Sequence, residues 1–232
     1  MTWQKKKIKF CKPILEFRLE KPDIIIDMKL IVGLGNPGEK YEKTRHNLGF
    51  IIMEHFLKDF QSTKNTLWEN SSKFKSDIAQ IEWQPKHGSL EKILLVKPKT
   101  YMNNSGLAVK IIVDFYKISA DYIWVVNDDI DLPLGAMKIR FGGASAGHHG
   151  VESVMEHLGT DKFWRFRMGI GEANSKSKIQ NSKLRNVEDF VLNGFTGSEK
   201  GKLKDLVKRG VRAIETSLED GLESAMNRFN TK

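Results

Sequence analysis

The feature that most constrains the fold is an alternation, from Met28 onward, of short apolar runs with longer helical patterns. The runs are rich in β-branched residues, which favour strands. They read MKLIVGLG, KILLVKP, YIWVVND, MKIRFG and FWRFRMGIG. The helical patterns fall near residues 48–60, 104–117, 148–158 and 198–218. Because largely apolar strands that alternate with helices are typical of sheets buried on both faces, this rhythm predicts an α/β fold.

The helical pattern near residues 198–218 carries a clear amphipathic signal. Apolar residues recur there at steps of three and four and therefore share one face, which we interpret as core packing. They are Leu203, Leu206, Val207, Val211, Ile214 and Leu218. The segment SLEDGLESAMNRFN predicts one more short helix, with Gly221 as the break before it. The polar, turn-rich residues 172–186 predict a mobile surface loop within the domain.

The composition suits one domain of ordinary size, because 232 residues with 40% hydrophobic content can bury a substantial core. Lys plus Arg number 38 against 29 Asp plus Glu, and the net charge of +9 favours polyanionic partners, although such an excess is also common on solvated surfaces. Cys11 is the only cysteine, so no intrachain disulfide is possible. Neither a secretory signal nor an apolar run of about 20 residues is visible. We therefore expect a cytoplasmic protein with no membrane partner.

Residues 1–27 differ from the rest of the chain, because they mix a lysine cluster, acids and short apolar runs without clean periodicity. We interpret them as an amino-terminal extension that is either poorly ordered or a start-site artefact, and in the second case Met28 is the natural start. Residues 28–232 then form the functional domain. Four acids argue against a transit peptide, which is usually rich in Arg and Ser and poor in acids. They are Glu16, Glu20, Asp23 and Asp27.

A glycine-rich loop follows the first predicted strand. Gly33, Gly35 and Gly38 match G-x-G-x-x-G, the pattern with which dinucleotide-binding domains approach a pyrophosphate. That interpretation also needs a helix that begins in the loop and an acid at the end of the next strand. Here Pro37 and a polar stretch intervene, and Asp59 falls within a helical pattern. We therefore expect no nucleotide cofactor at this loop.

The same loop opens a longer resemblance. GLGNPGEKYEKTRHNLGF resembles the opening signature of the bacterial peptidyl-tRNA hydrolases, and the resemblance continues in order through KPKTYMNNSG, NDDIDLPLG, GGASAGHHG and FWRFRMGIG. It covers residues 28–230 and implies a single three-layer α/β/α domain on a twisted, mixed sheet. It further implies a monomeric carboxylic-ester hydrolase that needs no cofactor. Such an enzyme cuts the peptide from peptidyl-tRNA and returns free tRNA to translation.

Ester hydrolysis of this kind needs an activated water, and histidine suits that task near neutral pH. The resemblance implies that His46, in TRHN, is the base. It also implies that Asp128, the first acid of DDID, keeps the His46 imidazole oriented and basic. Without the motif, a lone histidine before an apolar helix is more often a structural residue.

Two asparagines carry amides, which both donate and accept hydrogen bonds. The resemblance implies that Asn36 binds the acylated amino terminus of the peptide and so separates peptidyl-tRNA from aminoacyl-tRNA. It places Asn103, in TYMN, beside the attacked carbonyl. Asn103 also suits a helix N-cap, and both roles stay open.

The implied substrate calls for residues that bind the acceptor end and the 5′ phosphate of tRNA. Three residues would line the site, where an aromatic ring can stack on the terminal adenine, although such residues alone are more often ordinary core. They are Tyr41, Tyr101 and Met102. Arg140 and Arg167 fall where the family holds the 5′ phosphate, with Arg165 nearby. If FWRFRMG is a strand, Arg165 and Arg167 share one face.

The segment GGASAGHHG is rich in small residues, and the resemblance makes it a gate over the cleft, with Gly147 and His148 leading a lid helix. The chain departs from the family pattern twice here. Ala146 stands where glycine is usual, and His149 stands where an asparagine normally anchors substrate or water. No Cys and no HExxH spacing supports a zinc site that includes His46, so we expect no metal.

Two other classes of function remain open at this point. One is an RNA-binding relative without catalysis, similar to the plant organelle splicing factors built on this fold, and the other is a nucleotide-binding Rossmann domain. Retention of the four residues with implied catalytic roles favours an active enzyme. A peptide-release assay on peptidyl-tRNA separates the enzyme from the RNA-binding protein.

Overall fold

The computed structural model describes residues 28–61, 66–171 and 185–230, and seven strands in these ranges form one mixed sheet. The strands are β1 (Met28–Gly33), β2 (Glu69–Ser71), β3 (Ser76–Trp83), β4 (Glu91–Pro98), β5 (Ile123–Pro133), β6 (Met137–Phe141) and β7 (Trp164–Gly171). Their spatial order is β2-β3-β4-β1-β5-β7-β6. The central strands β4, β1, β5 and β7 run parallel, whereas β2, β3 and β6 pair antiparallel with their neighbours.

All five predicted strands are confirmed, as β1, β4, β5, β6 and β7, and β2 and β3 were not predicted. The sequence of β3, SDIAQIEW, contains too many polar residues to stand out as an apolar run. Its polar residues Asp77, Gln80 and Glu82 are only half-buried, as suits a strand near the edge of the sheet. β5 is also longer than predicted and ends at Pro133.

Six α-helices accompany the sheet in the described ranges. They are α1 (Leu48–Gln61), α2 (Ser105–Tyr116), α3 (His149–Leu158), α4 (Arg185–Leu192), α5 (Lys200–Asp220) and α6 (Leu222–Phe229). The four predicted helices and the short final helix are confirmed, and Gly221 breaks the chain between α5 and α6 with a φ of 87°. Most of the predicted loop 172–186 and the predicted extension 1–27 lie outside the described residues, and α4 begins where that loop was expected to end.

The helices cover the sheet on both faces and so confirm the three-layer α/β/α arrangement. On one face, Ile31 of β1 packs in a hydrophobic cluster with buried residues of α1, α5 and α6. On the other face, Leu30 and Val32 pack in a second cluster with residues of α2 and α3. Neighbouring residues of a strand point to opposite faces, so a largely apolar strand serves both layers.

The glycine loop after β1 is needed for close packing of α1 against the sheet. A Cβ built on Gly33 would collide with the backbone of Gly49, and one on Gly49 would overlap the Val126 carbonyl oxygen. A Cβ on Gly35 would meet the Phe50 ring at 2.6 Å. Gly33 and Gly35 therefore allow α1 to pack closely against the sheet, whereas a Cβ on Gly38 would meet nothing within 4 Å.

The sheet has its topological switch point beside β1, which pairs in parallel with β4 on one side and with β5 on the other. In open α/β sheets, ligands bind outside the carboxyl ends of the strands at this point. The segments that leave β1 and β4, and the last part of β5, meet there. Within the described residues, every helix is too short or too polar to cross a membrane.

At Gly106, α2 and α3 approach so closely that no side chain fits between them. The Gly106 N–H donates to Ser153 Oγ at 3.0 Å, and a Cβ on Gly106 would overlap the Ser153 carbonyl oxygen. Gly106→Ala should therefore lower the free energy of unfolding by about 3 kcal/mol, near the upper end of the usual cost of overpacking. Urea unfolding measures this change.

The matched control is Gly201→Ala in α5, where a Cβ meets nothing within 4 Å. Alanine should raise the free energy of unfolding there by about 0.5–1 kcal/mol, because glycine costs that much within a helix. An unchanged stability of Gly106→Ala would mean that α2 and α3 can move apart freely.

Candidate active site

His46 and Asp128 lie in direct contact at the switch point. His46 belongs to a 3-10 turn, Arg45–Asn47, that leads into α1, and Asp128 lies in β5. The His46 Nδ1 atom is 3.0 Å from Asp128 Oδ1 and 3.1 Å from Oδ2. Both residues are buried, His46 at 9% exposure and Asp128 at 2%. The structure thus brings together the pair that the sequence resemblance implied, although 82 positions separate them.

His148 is a second histidine on the same carboxylate. Its Nε2 lies 2.9 Å from Asp128 Oδ1, and its Nδ1 accepts the backbone N–H groups of Gly150 at 3.1 Å and Val151 at 3.3 Å. His148 is therefore the side-chain N-cap of α3. A ring nitrogen that accepts cannot carry a proton, so His148 has its hydrogen on Nε2 and donates it to Asp128. The rings of His46 and His148 lie 4.8 Å apart.

The two imidazoles determine the charge state of Asp128. Burial acts to raise the pKa of the Asp128 carboxyl, but His148 and His46 outweigh it and hold that pKa well below its ordinary value. The carboxylate is therefore ionised throughout the neutral range. An ionised carboxylate only accepts hydrogen bonds, so His46 donates from Nδ1 and keeps the lone pair of Nε2 free to accept a proton.

His46, Asp128 and His148 also place three ligand atoms within 4.8 Å of one another, close enough to suggest a metal site. The hydrogen bonds do not fit that use. A metal on His148 Nε2 would leave its Nδ1 as the acceptor of two backbone N–H groups, so the ring would have no proton on either nitrogen. Metal-bound histidines normally donate from the second nitrogen. The arrangement suits a hydrogen-bond network better than a metal centre.

Asn36 is fixed from two sides where the chain leaves β1. The side chain of Asn47 binds the Asn36 backbone at both polar groups, accepting from its N–H at 2.8 Å and donating to its carbonyl at 2.9 Å. Asn36 Oδ1 accepts the Met102 N–H at 2.8 Å. The Asn36 side chain therefore has its acceptor occupied. Its Nδ2 group has no hydrogen-bond partner among the residues that the structure describes, and it remains available as a donor.

The segment after β4 forms the mouth of the site. Tyr101 is 55% exposed with a φ of 59°, and its ring meets that of Tyr41 edge-on at 6.4 Å. Asn103 is exposed in a 3-10 turn, and the N-cap position of α2 is the next residue, Asn104, so the alternative N-cap role of Asn103 is wrong. The Met102 side chain is buried in the core against α3 at 2% exposure, and it meets Asn36 only through its backbone N–H.

Four basic residues share one face of β6 and β7. Arg140 pairs with Arg165 and Lys138 with Arg167 across the two strands. Arg140 is exposed, and Arg167 forms an ion pair with Asp129. The shared face of Arg165 and Arg167 is as predicted, since Phe166 between them points into the opposite hydrophobic cluster.

Arg165 lies deeper than a residue that contacts tRNA directly. Its side chain is 2% exposed and donates to the carbonyls of Gly142, Gly143 and Ala144, the last at 2.8 Å. Burial, with the charges of Arg140 and Arg167, lowers the pKa of the Arg165 guanidinium to about 10. The structure therefore uses Arg165 to hold the small-residue loop that precedes α3.

That loop accommodates both departures from the family pattern. Ala146 adopts a φ of 56°, a left-handed conformation that costs a residue with a Cβ about 1 kcal/mol more than glycine. Gly147 follows with a φ of 75°. The His149 imidazole is exposed and faces Glu152 at 3.2 Å, and Glu152 also accepts from Ser145 at 2.8 Å. The His149 side chain therefore points along the outer surface of α3.

Sequence reasoning did not find three contacts in this site. They are the pairing of Asn47 with the Asn36 backbone, the bond from His148 to Asp128, and the bonds of the buried Arg45 side chain to Gly194 and Glu199. Arg45 and Asn47 flank His46 in the segment TRHN, so their positions in that motif were the available signal.

Comparison with known proteins agrees with this geometry. A family model described as peptidyl-tRNA hydrolase matches residues 30–232. The chain is 38% identical over 205 residues to a peptidyl-tRNA hydrolase of Aquifex aeolicus, which covers 88% of the chain and 97% of the relative. It is 40% identical to one of Aliarcobacter butzleri, over 88% of the chain and 100% of the relative. The crystal structure of the Acinetobacter baumannii peptidyl-tRNA hydrolase is similar with a TM-score of 0.72 at 28% identity, over 90% of the chain and 97% of that structure.

The dual role of His148 can be separated by His148→Asn. Asparagine is a good N-cap and should keep α3 intact, but it is too short to reach Asp128. The pKa of the Asp128 carboxyl should then rise towards its ordinary value, because His148 is the strongest of the groups that lower it. Carboxyl-carbon NMR titration of Asp128 measures this directly.

The sign of the effect can be checked by unfolding. A carboxyl whose native pKa lies below its unfolded value of about 3.9 stabilises the fold at neutral pH, and this stability is lost as the pH falls below about 5. As the pH falls, the free energy of unfolding should therefore decrease less in His148→Asn than in the parent protein. His55→Asn, which removes an exposed histidine of α1, is the control and should leave the Asp128 titration unchanged. An unaltered Asp128 titration in His148→Asn would contradict the assigned contact.

Proposed function

The chain belongs to the peptidyl-tRNA hydrolase family, which makes it a carboxylic-ester hydrolase acting on peptidyl-tRNA, and we propose that His46 is its general base. The observation that carries this proposal is the bond from His46 Nδ1 to the ionised Asp128. A carboxylate at Nδ1 selects the tautomer with a free lone pair on Nε2 and stabilises the imidazolium that forms when Nε2 takes a proton. A water beside Nε2 is thereby converted into the attacking nucleophile.

The same imidazole serves the second half of the reaction. Attack on the ester carbonyl breaks the bond to the ribose oxygen, which leaves as a hydroxyl only if it receives a proton. We infer that protonated His46 returns the proton there, while Asp128 stays ionised throughout. Asn103, exposed at the mouth of the site, would steady the carbonyl oxygen through its amide N–H.

Asn36 would decide which substrates are accepted. Its Oδ1 is occupied by the Met102 N–H, so the amide presents a donor to the substrate. A donor suits the carbonyl of an acylated amino terminus and repels the ammonium of an unblocked aminoacyl group. This supports Asn36 as the group that separates peptidyl-tRNA from aminoacyl-tRNA.

The tRNA would contact two further regions. The exposed Tyr101 and its neighbour Tyr41 would provide aromatic surface for the terminal adenine, whereas the Met102 side chain lies in the core and would contribute only through its backbone. Arg140 and Arg167 would bind the 5′ phosphate, because guanidinium groups bind phosphate in a bidentate manner. Arg165 would act indirectly, by holding the loop beside them.

The loop before α3 would act as a lid over this cleft. Gly147 supplies a flexible backbone position, and His148 fixes the start of α3 to Asp128. His149 follows on the outer surface and could take the place of the usual asparagine only after it leaves Glu152. We infer that its contribution to substrate binding is small in the arrangement seen here.

We further infer that the protein works as a cytoplasmic monomer without a cofactor, on the acceptor end of peptidyl-tRNA. The proposed chemistry is acid–base chemistry, and every group in it comes from one chain. Residues 28–232 would be the catalytic domain, since Met28 is 3% exposed at the start of β1 and the family match begins at residue 30. The segment 1–27 would then be an extension outside this domain.

His46→Ala should lower turnover of an N-acetylated aminoacyl-tRNA by about 10²- to 10⁴-fold, the usual cost of losing a general base. Release of the acylated amino acid at saturating substrate measures turnover. Because one partner of Asp128 remains in His148, the variant should fold and bind tRNA nearly as the parent does.

His55→Ala, on the exposed surface of α1, is the matched control and should retain full activity. Near-normal turnover by His46→Ala would end the assignment of the base. Tight tRNA binding with no turnover by the parent protein would instead favour the RNA-binding alternative.

Asn36→Asp should reduce the preference for blocked over unblocked aminoacyl-tRNA. The substitution keeps the acceptor that binds the Met102 N–H and replaces only the free donor by a charged acceptor, which attracts an ammonium group. The measurement is the ratio of kcat/KM values for N-acetylated and free aminoacyl-tRNA.

The control is Asn70→Asp, which adds the same charge on the exposed strand β2. An unchanged ratio in Asn36→Asp, at a normal rate, would show that Asn36 does not contact the amino terminus of the substrate.

A further inference from the structure

We propose that Arg45 is a positioning residue for His46, an inference that rests on the proposed role of His46 as the base. Arg45 is the residue before His46 and opens the same 3-10 turn. Its side chain points away from the site and is almost wholly buried, with 5% of the residue exposed. A buried arginine costs free energy unless an opposite charge and hydrogen-bond acceptors lie beside it. The partners of Arg45 therefore show which segment it fixes.

The guanidinium of Arg45 fastens the connection between α4 and α5. Nη1 donates to the carbonyl of Gly194 at 2.6 Å and to that of Asn193 at 3.3 Å. Nη2 donates to both carboxylate oxygens of Glu199, at 3.1 and 2.9 Å. We call the group formed by Arg45, Asn193, Gly194 and Glu199 the Arg45 clamp. It joins the 3-10 turn Arg45–Asn47, which we call the catalytic turn, to a segment about 150 positions away in the chain.

Two aromatic rings enclose the same guanidinium. The Arg45 guanidinium carbon lies 4.3 Å from the centre of the Phe190 ring and 5.2 Å from that of Phe195. A planar cation between aromatic rings is held in orientation as well as in place. Lysine has a single ammonium without this planar shape, so it could not make the same set of contacts.

Backbone contacts reinforce the clamp on both sides. The Arg45 N–H donates to the Asn193 carbonyl at 3.1 Å, and Thr44 forms an isolated antiparallel bridge with Gly194. Glu199 is held in turn by Thr196, whose N–H and hydroxyl lie 2.7 and 2.8 Å from its carboxylate in a capping box. Burial acts to raise the pKa of the Glu199 carboxyl, but Thr196 and Arg45 lower it, so the carboxylate that pairs with Arg45 is ionised.

The catalytic turn is therefore fixed at both ends. After His46, Asn47 binds the backbone of Asn36. Before His46, Arg45 binds the other three residues of the Arg45 clamp. The His46 imidazole is thus placed between two anchored neighbours, in addition to its own bond to Asp128. Without the Arg45 side chain, only the backbone contacts of Thr44 and Arg45 would hold the turn on that side. A shift of about 1 Å in a catalytic group can cost about 100-fold in rate, so we expect an effect on chemistry as well as on stability.

The test compares Arg45→Ala and Arg45→Lys with the full-length parent protein, at a temperature where all are folded. For Arg45→Ala, kcat should fall about 10- to 100-fold while KM changes little, because the turn shifts and the tRNA-binding surface does not. Added methylguanidinium should restore much of kcat by occupying the vacated site. Arg45→Lys should remain impaired, since it restores the charge without the shape.

Arg209→Ala is the matched control. Arg209 lies in α5 and also donates to carbonyl oxygens, those of Gly135 at 2.6 Å and Phe229 at 3.4 Å, neither of which belongs to the site. Its loss should lower thermal stability, leave kcat per folded molecule unchanged and give no response to methylguanidinium.

Two results would overturn the proposal. One is a parental kcat in Arg45→Ala, and the other is a loss of kcat that only follows the folded fraction and that methylguanidinium does not reverse. If His46→Ala is inactive, either result would contradict the positioning role of Arg45 but not the role of His46 as the base. If His46→Ala is active, both proposals would be contradicted.

Discussion

The site depends on one buried carboxylate that two imidazoles share. Asp128 lies within β5, so it cannot move aside, and at 2% exposure it has almost no water to stabilise its charge. A buried ionised carboxylate is tolerable only when its oxygens accept hydrogen bonds, and His46 and His148 provide them. The catalytic turn and the start of α3 are thus tied to the central sheet by the same group. Placement of the proposed base and placement of the loop before α3 are consequently linked.

This linkage explains why so much of the surrounding structure consists of anchors. Asn47 holds Asn36, Asn36 holds the chain at Met102, and Arg165 holds the carbonyls of the loop before α3. These contacts do no chemistry of their own. They fix the segments that carry reacting groups, and a site held by such supports needs less rearrangement when the substrate binds.

The architecture was largely predictable from sequence, because the central strands are buried on both faces and stand out as apolar runs. β3 escaped prediction since it mixes polar and apolar residues near the sheet edge, and α4 because its sequence follows a long polar stretch. The roles of His46 and Asp128 followed from a family resemblance, and nothing in spacing alone showed that they touch. The directions in which long side chains point were harder still to predict from the sequence. Arg165 turns inward and Met102 lies in the core, because each responds to contacts with segments distant in the chain.

The charges on the β6–β7 face show what these directions imply for binding. Besides burial, Arg165 has its pKa lowered by the nearby positive charges of Arg140 and Arg167, although Asp129 and Asp161 act in the opposite sense. A guanidinium whose pKa is lowered by neighbouring positive charges reports a positive potential that the protein does not fully neutralise. A phosphate on this face would remove part of that repulsion while it forms its own hydrogen bonds. Repulsion of this kind would be relieved by a bound polyanion, which supports the proposal that Arg140 and Arg167 bind the 5′ phosphate.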